Sequence, residues 1–239
     1  MQEINKPLSS IVIEKVSVPD QPFRALVKYK NTDAINFRII QLDSALYQAL
    51  KNPYDEKYWE KLQSAPAIRT WQQRLSATND LQQHSVEVKV DALPVGEYIL
   101  VSSLSSFNKE NASMGTVAFA ISNISYVTHA NQFFILHRQT GQPLKDAIVK
   151  ALVQQYDYKT YKYTTIDYGT YKTDKNGFFQ VTTKKEDRNN NYQIDIRFNN
   201  DRLHLDDYFY GYYFARDEPE TSEKKIFFFT DRSIYRPGQ

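Results

Sequence analysis

Cysteine is absent from this 239-residue chain. That excludes a disulfide framework, a thiol nucleophile and any metal site built on sulfur, while leaving the compartment open. Charge of one sign is also scarce, with a formal net charge of only +2. Such a balance creates no field suited to nucleic acid or to an anionic membrane, so no nucleic-acid partner is expected. No apolar run approaches the ~18 residues that a membrane-crossing helix needs. Met1 to Ser10 has neither a basic start nor an apolar core, so no signal peptide is expected there. Glycine and methionine are few, at 7 and 2.

Aromatics fill the space: 18 Tyr and 14 Phe. Together with β-branched residues they suit half-buried strands. Alternation confirms the bias. Ile35, Phe37 and Ile39 alternate with Asn36 and Arg38, and Val86, Val88 and Val90 with Glu87 and Lys89. Tyr192, Ile194, Ile196 and Phe198 alternate with Gln193, Asp195 and Arg197. Period 2 puts one side of each segment in a core and the other in water. The spacing of these segments predicts an all-β fold of two consecutive antiparallel β-sandwiches.

The first unit is expected over residues 1–121. Its strands are placed near Ser10–Val18, Phe23–Lys30, Ala34–Leu42, Ser85–Asp91, Glu97–Leu104 and Thr116–Ile121. A helical insertion is expected at about 43–64. Asp43 can cap a helix running to Leu50, Asn52-Pro53 breaks it, and Asp55 to Leu62 forms a second. Tyr58, Trp59 and Leu62 are expected to share one helix face. Ile68 to Leu75, which holds Trp71, is ambiguous on its residues, and strand is the expectation taken. The second unit is expected over 122–217, entered through a short joint at Ser122 to Ser125 that allows little swing. Phe133–His137 and Ala147–Val153 are strands, with a turn at Thr140 to Leu144. Thr173 to Phe179 reads as a hairpin turn, with Gly177 supplying a positive φ next to Asn176. Residues 218–239 are expected to link to, and open, a third unit.

That opening is the most specific string in the chain. Phe227, Phe228 and Phe229 form a short apolar strand, and Arg236-Pro237-Gly238-Gln239 is turn chemistry. A turn calls for a further strand, so a longer parent protein is expected. Thr230, Asp231, Arg232, Ile234, Tyr235, Arg236, Pro237, Gly238 and Gln239 together resemble the segment that opens a macroglobulin-type sandwich in the alpha-2-macroglobulin family. Two further strings are similar to sandwiches of that family. They are Leu93-Pro94-Val95-Gly96-Glu97-Tyr98, and the pairing of Thr140-Gly141-Gln142-Pro143-Leu144 with Thr173-Asp174-Lys175-Asn176-Gly177-Phe178. The second pairing also resembles carboxypeptidase-regulatory-like modules.

The resemblance is to the amino-terminal macroglobulin-type domains of a bacterial member, over essentially the whole chain. It implies scaffold within a large protease inhibitor that entraps its targets after cleavage of a bait segment. The implied partners are the following macroglobulin domains of the parent chain and, through the full-length protein, proteases. The implied location is extracytoplasmic, in the periplasm or at the cell surface, where a lipid anchor on the parent is one arrangement. Many members carry a C-x-E-Q thioester, which a chain without cysteine lacks. No cofactor, no catalytic residue and no enzyme activity are expected.

Other candidates were weighed on their residues. His84, His129, His137 and His204 form no close ligand pair and read as surface or strand-edge histidines. Asp201, Asp206 and Asp207, with Asp187 and Asn189 to Asn191, are oxygen-rich but lack the EF-hand order, so they read as solvated loops. Ser106 and Lys109 match S-x-x-K by spacing without the partner motifs of penicillin-binding enzymes. Tyr156, Tyr158, Tyr161 and Tyr163, interleaved with lysines, form an unusual run extended by Tyr168 to Tyr171. They read as a solvent-facing hairpin with tyrosines paired across strands. Its functional alternative is a contact patch for a protein or glycan, as on a cell-surface interaction module. Tyr208 to Phe214 reads as aromatic packing at a domain junction.

Overall fold

A computed structural model of the chain describes residues 5–50, 57–77, 80–107, 114–182 and 191–210. The first half contains β1 (Leu8–Ile13), β2 (Val16–Ser17), β3 (Phe23–Lys30), β4 (Ala34–Gln41), α1 (Ser44–Ala49) and α2 (Tyr58–Ser64). β5 (Ala67–Arg74), β6 (His84–Val90), β7 (Gly96–Ser103) and β8 (Met114–Ile121) complete it. The second half contains β9 (Ile124–His129), β10 (Gln132–His137), β11 (Ile148–Asp157) and β12 (Lys162–Lys172). β13 (Phe178–Gln180), β14 (Asn191–Phe198) and β15 (Asp201–Tyr210) follow. The fold is all-β, with two sandwiches in series.

In the first sandwich a β1-β3-β6 sheet faces a β2-β8-β7-β4-β5 sheet. All pairs are antiparallel except β2 with β8. The alternation read from sequence is the alternation of burial: Ile35, Phe37 and Ile39 are fully enclosed, and Val88 and Val90 meet them from the other sheet. Trp71 stacks on its cross-strand partner Phe37 at 4.9 Å. β7 breaks the alternation, because Tyr98, Ile99, Leu100 and Val101 are all buried. Tyr98 and Leu100 enter the core between the sheets. Ile99 and Val101 enter a second cluster, formed where Leu50, Tyr58, Leu62 and Phe107 cover the sheet's outer face. A strand covered on both faces needs a continuous apolar run.

The helical insertion makes that cover. The Asp43 carboxylate accepts a hydrogen bond from the Leu46 amide at 2.7 Å, capping α1 as expected. Asn52, Pro53 and Asp55 lie outside the described residues. On α2, Tyr58 and Leu62 are buried, but Trp59 is 39% exposed. Tyr58 and Leu62 are four residues apart and share a side, whereas one residue along rotates Trp59 about 100° away toward solvent. Arg38 ties the end of α2 to the sheet, donating to the carbonyls of Gln63 and Ala65 at 3.1 and 3.2 Å.

The second sandwich pairs a β13-β10-β9 sheet with a β12-β11-β14-β15 sheet. Phe133, Ile135, Val149, Ala151, Ile194 and Ile196 are fully buried between them. Three readings from sequence need correction. The joint is shorter than Ser122 to Ser125, because Ile124 and Ser125 already belong to β9. β9 escaped notice because it is a sheet edge with an exposed face: Ile124 is buried while Val127 is 58% exposed. The Thr173 to Phe179 turn is not a hairpin. The next strand, β13, pairs with β10 in the opposite sheet, so the turn carries the chain across the sandwich. Finally, Asp201, Asp206 and Asp207 lie on β15 rather than in a loop, with Leu203 and Leu205 turned to the core. Asp187, Asn189 and Asn190 lie outside the described residues.

The two strings around Thr140 and Thr173 meet in space. The buried Thr173 hydroxyl donates to the Leu144 carbonyl at 2.6 Å and accepts from the Ala147 amide at 2.8 Å. Asp174 caps the turn by accepting from the amides of Asn176 and Phe178. Gly177 then lies with its carbonyl on the Ile135 amide at 2.8 Å.

Candidate functional site

The tyrosine run forms the expected hairpin. Tyr156 of β11 stands opposite Tyr163 of β12, with ring centroids 4.9 Å apart. Tyr158 packs edge-on against Tyr156 at 5.0 Å. Tyr158 and Tyr161 at the tip are among the most exposed large side chains of the chain, at 81% and 78%. Tyr168 and Tyr171 turn the other way and pack against the second core. Phe209 also belongs there, meeting Phe133 at 5.0 Å and Tyr192 at 5.8 Å, while Tyr208 and Tyr210 are exposed. The string from Thr230, Asp231 and Arg232 to Tyr235, Arg236, Pro237 and Gly238 lies outside the described residues, as do Gly211 to Phe214 and Lys109.

The joint between the sandwiches is clamped by Arg138, which no local pattern marks, and by Asp201, which read from sequence as part of a solvated loop. Arg138 donates to the carbonyls of Ser122 and Ile124 at 3.1 and 2.6 Å. The Asp201 carboxylate accepts from the Asn123 amide at 2.7 Å. Burial lowers the Arg138 pKa, opposed by the nearby Asp201 and Glu14. Val16 and Ala120 of the first sandwich pack against the second core, so the joint is apolar as well as hydrogen-bonded.

Beside the joint lies a polar network. Its centre is Asp195, whose side chain is only 3% exposed. Arg202 Nε donates to it at 2.7 Å and Arg197 Nε at 3.3 Å, and His204 Nδ1 stands 3.7 Å away. Burial is the largest single influence and pushes the carboxyl up, but His204, Arg202 and Arg197 together outweigh it and hold Asp195 at about 2. Arg202 also reaches across to Glu97 of the first sandwich at 3.7 Å. The Glu97 carboxyl is raised, because burial outweighs the pull of Arg202 and His204. His204 does stand on an edge strand, β15, as the surface or strand-edge reading allowed, but it is largely withdrawn from solvent. Its side chain is 12% exposed and lies between Asp195 and Asp206. The alternation with Leu203 and Leu205 sets His204 on the outer face of the sheet, so no local signal announced its cover there. His84 pairs with Asp80 at 3.0 Å, His137 is half-buried, and His129 is exposed. Among the described residues no group of three or more acidic or histidine side chains is placed to hold a metal ion. No helix among them is long and apolar enough to cross a membrane.

A groove of about 620 Å³ opens over this network, on the outer face of the β12-β11-β14-β15 sheet. Gln154 and Gln193 line its floor, and Tyr163 and Tyr208 its two ends. Tyr47 of α1 reaches it from the first sandwich. A second cleft of about 490 Å³, shared by Tyr47 and His204, continues along the joint past Lys15 and Arg138. Sheet strands present alternate residues to one face, so the periodicity that buries Val153 and Ile194 places Gln154 and Gln193 in the groove.

No protein-family model matches the sequence, and no curated protein does either. Solved structures do resemble the fold. Native alpha-2-macroglobulin of Escherichia coli, in the portion spanning domains MG0-NIE-MG1, superposes with a TM-score of 0.59 at 15% identity. The match covers 84% of this chain and 64% of that one. The NIE-MG1 portion of the same protein gives a TM-score of 0.53 at 14% identity, over 84% of this chain and 97% of that one. A point mutant of Salmonella alpha-2-macroglobulin gives 0.51 at 14% identity, and this chain spans 12% of its length. Identities this low speak for the fold. The two sandwiches in series are thus similar in fold to the NIE-MG1 portion of a bacterial alpha-2-macroglobulin.

Proposed function

We propose that the chain is scaffold within an alpha-2-macroglobulin-like protease inhibitor, holding later domains in position and passing their rearrangements along. In this reading residues 1–121 and 122–217 are successive macroglobulin-type domains, and 218–239 open a third. The chain contributes no catalytic group, and it works outside the cytoplasm, in the periplasm or at the cell surface. Its partners are the following domains of the parent and, through the whole protein, proteases. One observation carries the proposal beyond likeness of fold. The joint between sandwiches is held by Arg138 and Asp201 on backbone groups, which suits a part that must transmit force rather than swing.

Entrapment makes a testable distinction. A caged protease keeps access to small substrates and loses access to large ones. Trypsin mixed with the full-length parent should retain hydrolysis of a small peptide ester while losing digestion of a protein substrate. Trypsin mixed with this 239-residue chain alone should keep both. A parent that leaves protein digestion untouched, or a chain that inhibits unaided, would refute the reading.

A further inference from the structure

We propose that the groove on the outer face of the β12-β11-β14-β15 sheet is a binding site for a neutral oligosaccharide, a role beyond scaffolding. Its shape comes first. Tyr163 on β12 and Tyr208 on β15 stand on the two outermost strands. Three strand spacings separate those strands, a span of about 14 Å, the length of a short chain of sugar rings. At about 620 Å³ the groove also falls within the usual range for small-ligand sites. A protein partner would need a contact of roughly 800 Å² per side.

The chemistry of the lining points the same way. A pyranose ring offers C–H groups on its faces and hydroxyls round its edge. Tyrosines supply flat apolar surfaces for the faces, each with a hydroxyl at the tip. The amides of Gln154 and Gln193 supply donors and acceptors for the edges. Both amides are held in place: Gln154 Nε2 donates to Thr165 Oγ1 at 2.9 Å, and Gln193 Nε2 to the Asp206 carbonyl at 3.0 Å. Their carbonyl oxygens, which those two bonds do not use, are the acceptors offered to a ligand. Tyr163 is likewise positioned, because Tyr156 packs beside it.

Charge decides the class. The cations described on this face are already paired with carboxylates. Arg202 pairs with Asp195 and Glu97, Arg197 with Asp195, and Lys150 with Asp167. An anionic ligand would have to compete with these pairs, so the site favours a neutral polyol over a phosphate or an acidic peptide. An extended peptide also finds no free main chain on the floor, since both central strands, β11 and β14, are paired on either side.

Calorimetric titration of the 239-residue chain tests this with four neutral probes: maltotetraose, cellotetraose, mannotetraose and N-acetylchitotetraose. Tetragalacturonate serves as the anionic comparison. At least one neutral probe should bind, and tetragalacturonate should bind more weakly. Tyr163→Ala and Tyr208→Ala should each weaken binding tenfold or more, with a Tm shift no larger than the loss of one exposed aromatic pair gives. Tyr158→Ala, at the hairpin tip, should leave binding unchanged. The proposal is overturned if no neutral probe binds at millimolar concentration, or if tetragalacturonate binds best. It is equally overturned if binding survives both groove substitutions or depends on Tyr158, which would move the contact to the tip.

Discussion

Gly177 adopts φ of +73°, and a Cβ built there would lie 2.3 Å from the Ile135 carbonyl oxygen. Two separate penalties therefore bar any other residue. The left-handed backbone alone costs an L-residue roughly 1–2 kcal/mol, and the collision adds to it because Ile135 is fixed in the sheet. Gly177→Ala should lower the urea midpoint by more than that backbone term accounts for, and an unchanged midpoint would contradict the geometry. Gly96 is a milder case, with a Cβ meeting the Tyr98 hydroxyl at 3.0 Å. That hydroxyl donates to the Pro94 carbonyl at 2.9 Å, so Pro94, Gly96 and Tyr98 form one closed corner. Tyr98→Phe should cost about 0.5–1.5 kcal/mol, read from chemical denaturation. Asp195 gives a pH signature. Its folded pKa of about 2 lies below the ordinary 3.8, so its contribution is complete above about pH 4 and disappears as pH falls through 2. The contribution is on the order of 2 kcal/mol. Stability measured across that window should fall less steeply in Asp195→Asn than in the natural sequence.

At the scale of elements, legibility followed burial. β3, β4 and β14 were readable because each has one face sealed in a core, and sealing one face prints period 2 on the chain. β9 and β15 were not. β9 lies on an edge with little to bury, and the apolar positions of β15, Leu203, Leu205 and Phe209, are interrupted by Asp206 and Asp207, the latter paired with Lys15. The α2 helix was readable as a helix, though it runs to Ser64 rather than Leu62, but not in orientation. Trp59, expected to share a face with Tyr58 and Leu62, turns outward. Trp59→Ser should therefore change stability by no more than ~0.5 kcal/mol, whereas Leu62→Ala should cost ~2–5 kcal/mol. Thermal unfolding of the two variants checks both, and a reversed order would overturn the described packing.

For the molecule as a whole, the question is how two sandwiches become one arm. Arg138 donates two charged hydrogen bonds to the joint, and charged bonds contribute about 1.5–3 kcal/mol each. Arg138→Ala should leave each sandwich folded while freeing the joint. Small-angle scattering should then show a larger radius of gyration, and a protease should nick the chain near Ser122 and Asn123. A variant as compact and resistant as the natural chain would mean that the apolar contacts of Val16 and Ala120 hold the joint unaided. The groove belongs to this scale too. Tyr47 comes from one sandwich and Tyr208 from the other, so loosening the joint should also weaken any ligand held between them.

Most strands, the helical insertion, the presence of the turns and the likeness to macroglobulin-type sandwiches were written locally. Each depends on residues within a few positions of one another, where period, capping and turn chemistry act. The clamp, the polar network and the groove were not written that way. Asn123 and Asp201 are 78 residues apart, and nothing near either announces the other. Folding had to bring Glu97, Asp195 and Arg202 to one place before burial and pairing could shift their ionisation. Long-range proximity, which no local pattern encodes, drew His204 in between Asp195 and Asp206 and made a row of glutamines and tyrosines into a groove.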